Sequence, residues 1–152
     1  MYDLLIKSHS GLRWVVLLLL LAAIAKAIGG LSSGRAFNAN DKKLAMFSMI
    51  TLHIQLLIGL GLYFMSPTVA AATNDMGAAM KDSALRFWAV EHISMMVIAI
   101  ALVTIGYSKS KRANTDKAKF KSITTFYIVG LVLVLVSIPW PFRQEGIARL
   151  WF

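Results

Sequence analysis

No cysteine occurs in the 152 residues. Disulfides, iron–sulfur clusters and thiolate-held metals are therefore excluded for this chain. Charge is scarce: 15% of residues are charged and seven are acidic, where a water-soluble domain carries about 25% charged residues. No HExxH occurs, no histidine pair stands at i,i+4, and no carboxylate pair faces another, so the metal-hydrolase patterns are missing. No strand-to-helix elbow marks a Ser/His/Asp hydrolase. Proline occurs three times, and each copy sits at an end of an apolar run.

Apolar residues are abundant, at 58%, with a mean hydropathy of +0.68. Aliphatic content of this order excludes a disordered chain. A helix needs about 20 mostly apolar residues to cross roughly 30 Å of hydrocarbon. Four segments meet that length: about 11–28, 44–65, 87–107 and 123–140. The first has room to begin earlier, at Leu4. Soluble core helices are the rival reading, but four of them would leave too little polar surface to cover them. The first segment reads as a span and not as a cleaved leader, because GGLSSGR follows it into a basic loop with no small-x-small cleavage site. Gly29-Gly30, Ser66-Pro67 and Pro139-Trp140-Pro141 punctuate the ends, and Ser122 is a candidate cap for the fourth helix. The expected fold is one all-α domain, a membrane four-helix bundle over residues 1–152.

The net charge of +9 is unevenly placed. The loops 29–43 and 108–121, with Lys26, carry ten basic residues against two acidic, Asp41 and Asp116. The opposite face carries six basic residues, Lys7, Arg13, Lys81, Arg86, Arg143 and Arg149, against five acidic. Basic loops stay in the cytoplasm, so both termini are expected on the outer, periplasmic side of a bacterial inner membrane. Trp14, Trp88, Trp140 and Trp151 all fall toward that side, as an interfacial aromatic belt would. The run SKSKRANTDKAKFK reads as an inner loop against anionic lipid headgroups. No nucleic-acid motif accompanies it, and no nucleic-acid partner is expected.

Ionisable residues near or within the spans are functional candidates. They are His9, Arg13, His53, Arg86, Glu91 and His92. Lys26 is discounted, because it can snorkel to the inner surface. His92 lies on a helical stripe with Trp88, Met95, Met96, Ala99 and Val103, and small Ala99 offers room for a flat ligand. Ser48, Thr51 and Gln55 form a polar stripe on another face of the second helix, suited to bonding a neighbour. Three histidines without cysteine suit a b-type haem held by neutral imidazoles. Depth sorts the pairs. From assumed outer helix ends, His9 and His92 are offset by about 6 Å, and His53 and His92 by about 10 Å. A first helix beginning near Tyr2 would also admit a His9–His53 pair. Arg13 shares a helix face with His9, and Arg86 precedes His92 by less than two turns. Both are candidates to pair with haem propionates. Each also has a plain alternative, snorkelling to headgroups or pairing with Glu91.

The segments SHSGLRW, LHIQLLIGLGLYF, RFWAVEHISMMVIAIALVTIGYSKSKR and SIPWPFR resemble short four-span bacterial membrane proteins labelled "cytochrome b"-like. More distantly, the pattern is similar to cytochrome b561-like and haem A synthase-like four-helix bundles. The resemblance implies a bis-histidine haem b and electron transfer linked to a quinone or a redox partner. It carries ligand roles onto His9, His53 or His92 only. The chain departs from two-haem bundles, which use four helix-borne histidines, and from the Glu-x-x-His-Arg pattern of haem A synthases. At most one such haem fits. His9 and His92 are the expected metal ligands, with His53, Arg13 and Arg86 as further cofactor contacts. The alternative is an accessory subunit without a cofactor, in a respiratory or secretion complex, with the tail GIARLWF against a membrane partner or a second copy. Solute transport is weaker, because no inverted repeat or paired broken helix appears.

Overall fold

The computed structural model describes residues 1–142. The chain folds as α1 (Tyr2–Ser33), α2 (Ala39–Met65), α3 (Pro67–Asn74), α4 (Met76–Ala79), α5 (Ser83–Arg86), a π-helical turn (Phe87–Glu91), α6 (His92–Arg112) and α7 (Asp116–Ser137). Four helical runs are long and apolar enough to cross a membrane: Tyr2–Ser33, Ala39–Met65, Ser83–Arg112 and Asp116–Ser137. Arg143, Glu145, Arg149, Trp151 and the GIARLWF tail lie outside the described residues.

The helices start and stop differently from the apolar windows. α1 is 32 residues long, about 48 Å at 1.5 Å per residue, so it overshoots the hydrocarbon. α2 starts five residues before Leu44 because Asn38 caps it. The Asn38 side chain accepts from the amides of Asn40 and Asp41, and Asp41 Oδ2 accepts from the Asn38 amide in return. This is a capping box. Arg35 forks onto both Asp41 oxygens at 2.6 and 2.8 Å. That hydrogen bond, opposed by some desolvation, lifts the guanidinium's pKa above its usual value. α7 begins at Asp116, capped by Thr115 donating no proton but accepting from the Ala118 amide. Ser122 is therefore not the cap. It sits one and a half turns inside α7 and donates to Gly106 O on α6 at 2.9 Å. α7 ends at Ser137 and not at Trp140, since Pro139 cannot continue the helix.

The long helices form a ring in the order α1–α2–α6–α7, each packing chiefly on its two neighbours. α1 and α6 thus oppose each other across the bundle. The main core is built from aliphatic residues such as Val16, Leu20, Leu52, Val103, Ile123 and Val134, with Phe120 and Tyr127 as its largest fully buried side chains. Glycines let helices approach closely, as small residues do in membranes. A Cβ on Gly130 would lie 2.7 Å from Val103 Cγ2, and one on Gly30 would overlap the Phe120 ring. Buried hydroxyls bind backbone across helices: Tyr127 Oη to Ala45 O at 2.7 Å and Ser48 Oγ to Leu19 O at 2.9 Å. Such partners are obligatory where no water reaches. The segment between α2 and α6 is not an open loop. It folds into α3, α4 and α5, whose Ala72 and Ala79 pack with Ala89 into a second small core.

Candidate functional site

A cleft opens at the end of the bundle that holds the N-terminus and α3. It reaches from Tyr2 to Val16 along α1 and from Ser66 back to Leu52 along α2, about 21 Å in each case. Its cavity volume is about 140 Å³, below the roughly 300–1,000 Å³ of a typical ligand pocket, so a large flat ligand would have to extend into the open mouth. The walls are mostly apolar, with Met96, Ile100 and Ile138 among them. His9, Arg13, Gln55, Tyr63, Trp88 and His92 interrupt the apolar lining.

His9 and His92 meet across the ring. Their ring centroids are 6.3 Å apart and the planes are inclined at 68°. Both helices contribute to this match. His9 lies about 10 Å along α1 from Tyr2, and His92 about 13 Å along the run from Ser83. The long start of α1 and the early start at Ser83 bring the imidazoles nearly level.

His92 is oriented. Its Nδ1 lies 2.8 Å from Ser137 O at the end of α7. A carbonyl can only accept, so Nδ1 carries a proton, and in the neutral form of the ring Nε2 is then the nitrogen left to act as a ligand or acceptor. Metal-binding histidines are commonly held in this way. Phe87 and Trp88 lie against the same ring at 5.7 and 5.9 Å. The π-helical turn sets this arrangement, because the His92 amide bonds back to Phe87 O, five residues earlier. On the other side, Gln55 Nε2 donates to His9 O at 2.7 Å.

The remaining candidates are placed differently. Arg13 lines the cleft, with its guanidinium 5.0 Å from the Trp14 ring centre. His53 does not line the cleft. Its Nδ1 donates to Met49 O on its own helix, and its Nε2 lies 3.5 Å from Thr104 Oγ1 on α6. Arg86 does not line it either, since Nε donates to Glu91 Oε1 at 2.6 Å and Nη1 to Met80 O. Ala99 offers no room for a flat ligand. It is fully buried, and α7 closes on it at Gly130, where a Cβ would lie 3.3 Å from Ala99 O. The small residue at the site is Gly59 instead, where a Cβ would lie 3.0 Å from His9 Cε1.

Among the described residues, no group of three or more His, Cys, Asp or Glu side chains converges as a metal cage. Two imidazoles on opposite sides of one metal, each bonded at about 2 Å, have centroids about 6 Å apart. His9 and His92 amount to two donors, so any metal held there would take its other ligands from elsewhere. Comparison with family models, curated proteins and solved structures returns no match.

Proposed function

We propose that the chain is a multi-pass membrane cytochrome that binds one haem b between His9 and His92. The observation that carries this reading is the pair itself: two imidazoles from opposing helices, 6.3 Å apart, inside an apolar cleft. The Nδ1 bond of His92 to Ser137 O supports it further, because it turns the ring and fixes its tautomer. Arg13, also in the cleft, supplies a fixed positive charge for a propionate. His53 and Arg86 take no part in this reading, being bonded elsewhere.

Bound haem would supply a one-electron couple. His9 and His92 would hold it, the apolar walls would exclude water from it, and one end of the cleft would stay open. The electron partner is a quinone or a redox protein. The basic inner loops support a bacterial inner-membrane protein with both termini on the periplasmic side.

The test is a pyridine haemochrome and absorption spectrum on protein purified in mild detergent from its native membrane. A Soret band lost in both His9→Ala and His92→Ala is expected. A native preparation without the band sinks the proposal and leaves the cofactor-free accessory subunit.

A further inference from the structure

We infer that one face of α2, made by Gln55, Gly59 and Tyr63, positions both imidazoles although it supplies neither. This deepens the haem reading and rests on it. The three residues are spaced i, i+4, i+8 and share one helix face. Gln55 Nε2 donates to His9 O at 2.7 Å. That carbonyl only accepts, so the amide orientation is determined. One turn on, Gly59 presents bare backbone to the His9 ring. A Cβ there would lie 3.0 Å from Cε1 and 3.6 Å from Nδ1. One turn further, Tyr63 Oη donates to Ala89 O at 2.9 Å. Ala89 is the middle residue of the π-helical turn that leads into His92.

α1 and α6 oppose each other and pack chiefly on α2 and α7. Their separation at the cleft is therefore set by what stands between them. α2 grips α1 at His9 and the π-helical turn just before His92. α7 completes the frame through Ser137 O on His92 Nδ1. The helix's own histidine, His53, faces away and bonds Met49 O. The stripe thereby sets the spacing and the 68° inclination of the rings. In a metal complex, the inclination of two axial imidazoles governs the anisotropy of the ferric low-spin signal.

The experiment compares two neighbouring glycines in the full chain, purified with its haem. Gly59→Ala places a methyl group against the His9 ring. Gly61→Ala places one on the same helix, where its nearest neighbour is Leu5 Cδ1 at 3.9 Å. Gly59→Ala is expected to shift the ferric electron paramagnetic resonance signal and to weaken haem retention roughly 10- to 100-fold, as loss of a supporting contact around a metal does. Gly61→Ala is expected to match the parent in both. Tyr63→Phe, which adds no bulk, is expected to move the signal too, and serves where Gly59→Ala does not accumulate. A merely structural role would lower yield without moving the signal of the folded fraction. Parent-like signals and retention in both Gly59→Ala and Tyr63→Phe overturn the inference while the haem reading stands. A parent without haem overturns the reading beneath it, and the inference with it.

Discussion

His92 Nδ1 donates to Ser137 O across 2.8 Å, from the first residue of α6 to the last residue of α7. The last carbonyls of a helix lack partners within it. The end of α7 thus offers an acceptor at the depth where an imidazole needs orienting. The bond joins two long helices and selects the tautomer that turns Nε2 outward from Ser137. Four predictions follow from this arrangement and its surroundings.

The three histidines should separate into two classes. His9→Ala and His92→Ala are expected to lose most of the bound haem. His53→Ala is expected to keep it, because that ring bonds Met49 O and stands outside the cleft. Haem per chain, measured as the pyridine haemochrome, reads all three variants. Haem lost only from His53→Ala would contradict the assignment.

The two arginines should also differ. If Arg13 pairs with a propionate as proposed, Arg13→Gln removes a charge-assisted bond worth roughly 1.5–3 kcal/mol, and haem affinity is expected to fall about 10- to 150-fold. Arg86→Gln breaks its bond to Met80 O and its pair with Glu91, in which both side chains are about one-third exposed, and neither contact lies in the cleft. Such pairs contribute about 0–1 kcal/mol to stability, so haem affinity should stay within error. Haem titration of the two apo-variants checks the contrast.

Glycines in the helix contacts should behave oppositely to exposed ones. Gly130→Val drives a branched side chain into Val103 and the Ala99 carbonyl, at a cost of about 1–3 kcal/mol for overpacking. Gly29 meets nothing within 4 Å in its helix. Gly29→Ala should therefore stabilise the protein by up to about 1 kcal/mol through helix propensity. Thermal unfolding in one detergent reads both signs.

The chain is a ready background for topology mapping, because it contains no cysteine. Single cysteines at Thr73 and at Ser33 stand at opposite ends of the bundle, one in α3 and one at the last residue of α1. With basic loops inside, a membrane-impermeant thiol reagent on intact cells should label Thr73→Cys and spare Ser33→Cys. The reverse pattern would invert the orientation.

The spans were legible because they depend on periodicity and length. The histidine depths were legible only in part: helix ends placed near His9 and Trp88 offset the two rings by about 6 Å, and the earlier starts at Tyr2 and Ser83 bring them nearly level. Leu17, Leu52, Val103 and Tyr127 lie in apolar windows that announce a helix whatever surrounds them. The polar stripe on the second helix was legible in part. Ser48 and Gln55 do bond α1, at Leu19 O and His9 O, whereas Thr51 bonds its own helix. The π-helical turn was not legible, since FWAVE has no composition that distinguishes it from α-helix. Gly59 and Tyr63 were overlooked as site residues for a related reason. Their role comes from what α1 and α6 bring to them, although the spacing of four from Gln55 was a signal in plain view. The folding of residues 67–86 into short helices depends on alanine packing against Ala89, a contact distant in sequence.

The opposition of α1 and α6 across the ring also bears on biogenesis. A pair of ligands drawn from the first helix and from the third membrane run does not exist while the chain is still emerging. His92 further requires Ser137, near the end of the fourth. Loading of a ligand between the rings would therefore be a late event, following assembly of all four runs. On the haem reading, occupancy of the cleft would report that insertion is complete, and the bound group would act as a crosspiece that keeps opposed helices from drifting apart.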